Sequence, residues 1–157
     1  MRYNYRSFPD AKRSIMKIVY TTHATATGGG RNEGLSKTDD GNLSVKLTSP
    51  KEMGGTGAEG TNPEQLFAVG YAACFLGAVR FVAGKAKVTI GPDAAVHSNV
   101  GIGPRDDGTG FGLEVSLAIS LPGVERAVAE DLVAKAHIVC PYSEATRNNL
   151  AVKLSVV

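Results

Sequence analysis

The chain has 157 residues, 43% of them apolar and 20% charged, with a formal net charge of +2. This length suits one domain with a packed core, and the composition is that of an ordinary globular protein. Its scattered basic residues and near-zero balance argue against a nucleic-acid groove or an electrostatic membrane anchor.

Residues 1–15 (MRYNYRSFPDAKRSI) are polar and lack an apolar h-region, so they are not a secretory signal. They precede a second methionine, Met16, and read as an N-terminal extension, disordered or left by an upstream start. Residues 16–157 read as a single domain. From Met16 to Thr27 the pattern alternates and is rich in β-branched residues, which predicts a strand that Gly28, Gly29 and Gly30 end. Gly34 to Lys37 reads as a short second strand. Asp39-Asp40-Gly41-Asn42 is a turn, and Leu43 to Thr48 alternates again, giving a β-meander. A glycine-rich loop follows over residues 50–62. Thr61 or Asn62 then caps a helix with Pro63 and Glu64 in its first turn. That helix should run to about Ala83, with Gly84 as its stop, and it is apolar nearly all round, which predicts burial on most sides.

Val88 to Gly103 predicts one or two strands, broken by Gly91-Pro92. Arg105 to Gly110 reads as a hairpin turn and Phe111 to Leu121 as a clear alternating strand. Glu125 to about Val139 has helical spacing, closed by Cys140-Pro141, and Ala151 to Val157 is a last strand. Antiparallel strand groups with two helices between them make the class α+β.

Cys74 lies in a charge-free run of fourteen residues, Leu66 to Val79, too short for the roughly 20 residues that span a bilayer. The only other cysteine is Cys140, which gives neither a disulfide scaffold nor a CxxC motif. Three histidines, of which only His137 neighbours a cysteine, make too few ligands for a metal site. A free cysteine on an apolar helix is usually a small packed hydrophobe. As a nucleophile it needs a stabilised thiolate, hence a cation in the fold. Arg31, after the three glycines, is a candidate, since arginine stays charged in a low-dielectric pocket; by position alone it is a solvated loop residue. Glu64 reads either as an acid complementing the helix dipole or as a bidentate grip on that guanidinium. Cys140 is either a helix-end core residue or a resolving thiol. His137 and Tyr142 read as a helix-end polar residue and a packed ring. The paired acids Asp39-Asp40 and Asp106-Asp107 read as turns.

Three segments carry a resemblance. ATGGGRNEG (26–34), GTNPEQLFAVGYAACFLGAVRFVA (60–83) and HIVCPYSEATRNN (137–149) are similar to the organic hydroperoxide resistance proteins, a subgroup of the OsmC family, and the resemblance runs from about Met16 to Val157. It implies an intertwined homodimer with two long helices per chain between sheets. It also implies thiol-dependent reduction of organic hydroperoxides to alcohols. Cys74 matches the peroxidatic cysteine, Cys140 the resolving one, Arg31 the thiolate-stabilising arginine and Glu64 its carboxylate partner. The expected reductant is a dihydrolipoyl group on a lipoylated protein, with no metal, flavin or haem. An apolar surround of Phe67, Tyr71, Phe75 and Phe111 would favour alkyl or lipid peroxides. The expected location is the cytoplasm. The rival readings are an OsmC-type peroxidase of broader range and a noncatalytic carrier of small apolar ligands, whose Cys74 would alkylate slowly.

Overall fold

The computed structural model describes residues 16–157, and the expected N-terminal extension lies outside the described residues. Three strands come first: β1 (Ala24–Gly28), β2 (Gly34–Thr38) and β3 (Ser44–Leu47), paired antiparallel in the order β1-β2-β3. The expected strand from Met16 is shortened. Residues 16–23 lie outside the strand, with only the His23 carbonyl accepting from the Asp39 N–H at 3.0 Å, and Met16, Ile18, Val19 and Tyr20 are exposed. Their β-forming sequence lacks a neighbouring edge within this chain, and a strand without a partner does not hold.

After a short 3-10 turn (Lys51–Met53) comes α1 (Pro63–Ala86), 24 residues long. Asn62 is its cap: the side chain accepts from the Gln65 N–H at 2.9 Å, with Pro63 in the first turn. The helix does not stop at Gly84. It continues to Ala86, and Lys87 takes the left-handed conformation (φ 58°), donating its N–H to the carbonyls of Ala83 and Gly84. At this length α1 exceeds the charge-free run and is long and apolar enough to cross a bilayer.

β4 (Ala95–Pro104) and β5 (Phe111–Ser120) form the expected hairpin over residues 105–110. Gly91-Pro92 precedes the strand instead of splitting it, so the segment holds one strand. α2 (Arg126–Val139) starts at Glu125, whose carboxylate accepts from the N–H groups of Ala127 and Val128. Cys140-Pro141 closes α2 and at once opens a third helix, α3 (Pro141–Thr146), because proline at the first position suits a new helix. β6 (Val152–Val156) lies beside β5, and parallel to it, so the second sheet, β4-β5-β6, is mixed where antiparallel pairing was expected.

The core sits on that second sheet. Val115, Leu117 and Ile119 of β5 alternate inward with no exposed surface, against Tyr71, Phe75 and Val79 of α1 and Leu132 and Ala136 of α2. The expectation that α1 is buried on most sides is corrected here. One face is covered, while Val69 and Phe81 on other faces are 70% and 54% exposed. The first sheet is hardly covered at all, with every residue of β1 exposed. It joins the rest through Leu47, Thr48 and Ser49, which are buried, and through backbone bonds Thr48 N–H to Thr61 O and Thr61 N–H to Lys46 O.

Candidate active site

The loop between β1 and β2 delivers Arg31. Its glycines are there for space and for handedness. A Cβ on Gly29 would fall 1.9 Å from the Asn32 carbonyl oxygen, and Gly28 (φ +71°) sits in the left-handed region. The tight turn carries the Arg31 guanidinium to the first turn of α1. Nη2 donates to Glu64 Oε1 at 2.7 Å and Nη1 to Glu64 Oε2 at 3.0 Å, a bidentate pair. Nη1 also lies 3.5 Å from Met53 Sδ, so the 3-10 turn backs the grip. The Glu64 side chain is 12% exposed and that of Arg31 32%. The hydrogen bonds hold the Glu64 carboxyl below its usual range and raise the Arg31 guanidinium further.

Midway along α1, Cys74 faces Cys140 at the α2–α3 corner. Both are free thiols, and Cys140 Sγ lies 3.5 Å from Cys74 Sγ across 66 residues of sequence. Cys140 is fully buried; Cys74 is half-buried. Burial pushes the Cys74 thiol up and Cys140 adds to the rise, while the Tyr142 backbone N–H pulls the other way. Tyr142, read from sequence as a packed ring, does pack, against Phe67 and Tyr71 at 6.0 and 5.6 Å between centroids. What the sequence reading missed is its backbone N–H, freed by the helix start at Pro141. The Cys-Pro pair was the signal for it. Gly70 admits the Tyr142 ring, since a Cβ there would meet the phenol oxygen at 2.9 Å.

Four expected site residues therefore meet as two separate pairs, Arg31 with Glu64 and Cys74 with Cys140. Ten residues of α1 separate Glu64 from Cys74, about 15 Å along the axis. The expected aromatic surround also divides. Phe67 packs edge-on to Tyr71 and partly covers the core. Tyr71 and Phe75 have no exposed surface, and Phe111 is 68% exposed at the start of β5. His137 is half-buried beside the Phe75 ring, and burial lowers its pKa. Among the described residues no three His, Cys, Asp or Glu side chains gather as a metal site.

The family model of the OsmC-like proteins matches residues 55–155. The chain is 56% identical to an uncharacterized protein of Acinetobacter baylyi, over 92% of this chain and 97% of the other. It is 51% identical to an organic hydroperoxide resistance protein of Xanthomonas axonopodis pv. citri, over 89% of this chain and 96% of the relative. The crystal structure of an organic hydroperoxide resistance protein from Elizabethkingia anophelis superposes with a TM-score of 0.83 at 50% identity, covering 90% of this chain and 98% of that one. By sequence and by fold, the chain belongs to the OsmC-like family, in its organic hydroperoxide resistance subgroup.

Proposed function

We propose that the protein is a cysteine-based peroxidase that reduces organic hydroperoxides, alkyl or lipid, to alcohols. The observation that carries this reading is the 3.5 Å approach of Cys140 Sγ to Cys74 Sγ. Cys74 attacks the outer peroxide oxygen, giving an alcohol and a sulfenic acid. Cys140 then condenses with that sulfenic acid, releasing water and forming a disulfide. A dithiol such as dihydrolipoamide, free or on a lipoylated protein, returns the two electrons. The chemistry asks for no metal or organic cofactor, and its place is the cytoplasm, where such donors keep thiols reduced.

One observation favours the carrier reading. Within a single chain, burial raises the Cys74 thiol instead of activating it. A homodimer answers this. The bare face of α1, the uncovered first sheet and the exposed Met16, Ile18, Val19 and Tyr20 all ask for a partner surface. In the intertwined pair we infer, the Arg31–Glu64 clamp of one copy serves Cys74 of the other, and an adjacent guanidinium lowers that thiol's pKa. The test is consumption of cumene hydroperoxide with dihydrolipoamide against thioredoxin as donor. Turnover with the dihydrolipoyl donor is expected. No consumption with either donor, with Cys74 alkylating no faster than a free thiol of pKa about 8.5, overturns the peroxidase in favour of the carrier.

A further inference from the structure

One turn from the sulfur pair, three hydroxyls are buried between α1 and α3. Tyr71 Oη lies 2.9 Å from Ser143 Oγ and 3.4 Å from Thr146 Oγ1. Tyr71 and Ser143 have no exposed surface, and Thr146 is 8% exposed. Tyr71 stands three residues before Cys74, and Ser143 three residues after Cys140. Tyr71 and Cys74 are one turn apart on α1 and share a face of it, while Cys140 is the extended cap residue that leads into α3 and Ser143 lies in the first turn of that helix. The hydroxyl contact and the thiol contact are thus successive crossings of one antiparallel pair of segments.

We propose that the Tyr71–Ser143–Thr146 cluster is a register lock. It holds α3 on α1 at the offset that sets Cys140 beside Cys74, and so governs how completely the disulfide closes; the inference rests on the thiol reading above. The apolar contacts around it, Phe67 and the Tyr142 ring, cannot do this alone, because hydrophobic contact is not directional. A slip of one residue moves a helix by about 1.5 Å and turns it by about 100°, which parts the sulfurs. The same slip strips buried hydroxyls of their partners, and buried polar groups left unpaired are strongly disfavoured. Both ends of the corner are tied as well. Thr146 Oγ1 donates to the Tyr142 carbonyl at 3.0 Å, and Arg147 Nη2 donates to the His137 carbonyl at 2.8 Å.

The step this register serves balances as follows. An alkyl hydroperoxide oxidises the Cys74 thiolate: an S–O bond forms, the O–O bond breaks, and the alkoxide leaves as alcohol after taking a proton. Cys140 sulfur attacks Cys74 sulfur, the S–O bond breaks, and hydroxide leaves as water with the Cys140 proton. A second hydroperoxide competes by converting the sulfenic acid to sulfinic acid. Tyr71, Ser143 and Thr146 touch no reacting atom. They act as positioning residues on that competition.

The test uses the full chain with Ser143→Ala. The dithiol–disulfide equilibrium of Cys74 and Cys140 is measured against glutathione buffers, which needs no peroxide. The sulfinic fraction per turnover is measured by mass, and the first turnover by rapid mixing. Ser143→Ala should lower the effective thiol concentration about tenfold, the scale of one lost hydrogen bond, and raise the sulfinic fraction. Its first-turnover rate should stay within about twofold of the parent. Combining Tyr71→Phe with Ser143→Ala removes both polar partners, so thermal stability should recover while the effective concentration stays low. An unchanged equilibrium in Ser143→Ala overturns the lock, and so does a loss that simply follows Tm across the variants. If Ser143→Ala fails to fold, Thr146→Val reads the same equilibrium through the longer contact, and no shift there overturns it equally. A protein that shows the shift but consumes no cumene hydroperoxide keeps the lock and loses the peroxidase.

Discussion

Glu64→Gln keeps the size of the side chain and removes the charge that Arg31 grips. Two charge-assisted bonds, at 2.7 and 3.0 Å, are weakened at once. A hydrogen bond to a charged group contributes about 1.5–3 kcal/mol, whereas an exposed ion pair contributes about 0–1 kcal/mol. Here the acid is 12% exposed and the guanidinium 32%, so solvent screens one side of the pair. The loss should fall between those limits, about 1–2 kcal/mol. For a domain of this size that lowers Tm by about 3–6 °C. The pH dependence has a definite sign. The folded carboxyl lies below its ordinary value, so its stabilisation is complete above the unfolded value of about 4.3. It is lost as pH falls through the lower, folded value. The parent's advantage over Glu64→Gln should therefore be flat near neutrality and shrink below about pH 4. Urea titrations of the reduced proteins, at one protein concentration, measure it. Equal stability at pH 7, or an advantage that grows on acidification, would refute the clamp as a stabilising element.

The remaining outcomes concern chemistry. Cys74→Ser should abolish single-turnover peroxide reduction, while Cys140→Ser should keep the first turnover and then over-oxidise; the opposite pattern in rapid mixing would reverse the two roles. Arg31→Ala should raise the Cys74 pKa and slow alkylation at pH 7, with Arg31→Lys rescuing in part because lysine lacks the fork for Glu64. An unchanged alkylation profile would remove Arg31 from the mechanism. Mixing Cys74→Ser with Glu64→Ala after mild denaturation should restore one working centre per heterodimer, and heterodimers confirmed by mass without activity would mean that the site is not shared between copies.

Local features were legible in the sequence. Asn62-Pro63-Glu64 announced the start of α1 because capping involves neighbours three residues apart. The residues of β5 alternated as a strand on a core must, and RDDGTG sat at the hairpin turn. The end of α1 was misread because glycine permits a stop without compelling one, and Lys87 takes the left-handed residue's place. The motifs pointed to Cys74, Cys140, Arg31 and Glu64, with Glu64 as one reading's grip on Arg31 and, by the resemblance, Cys140 as the partner of Cys74; the distances at which each pair meets were not legible.

Tertiary structure decided those contacts. The sulfurs meet across 66 positions and the ion pair across 33, separations over which no local pattern carries information. β6 lies parallel to β5 because α2 and α3 return the chain to the far end of that strand, a consequence of connection length and packing. Likewise Met16 to Thr22 has the composition of a strand and is not part of one, since a strand is fixed by the edge beside it and not by its own residues. The sequence by itself determined the caps, the turns, the alternating strands and the family's motifs, all set by short-range sterics and hydrogen bonding. The union of a thiol pair at mid-helix, and of an arginine with a carboxylate at the helix start, was decided by how distant segments pack.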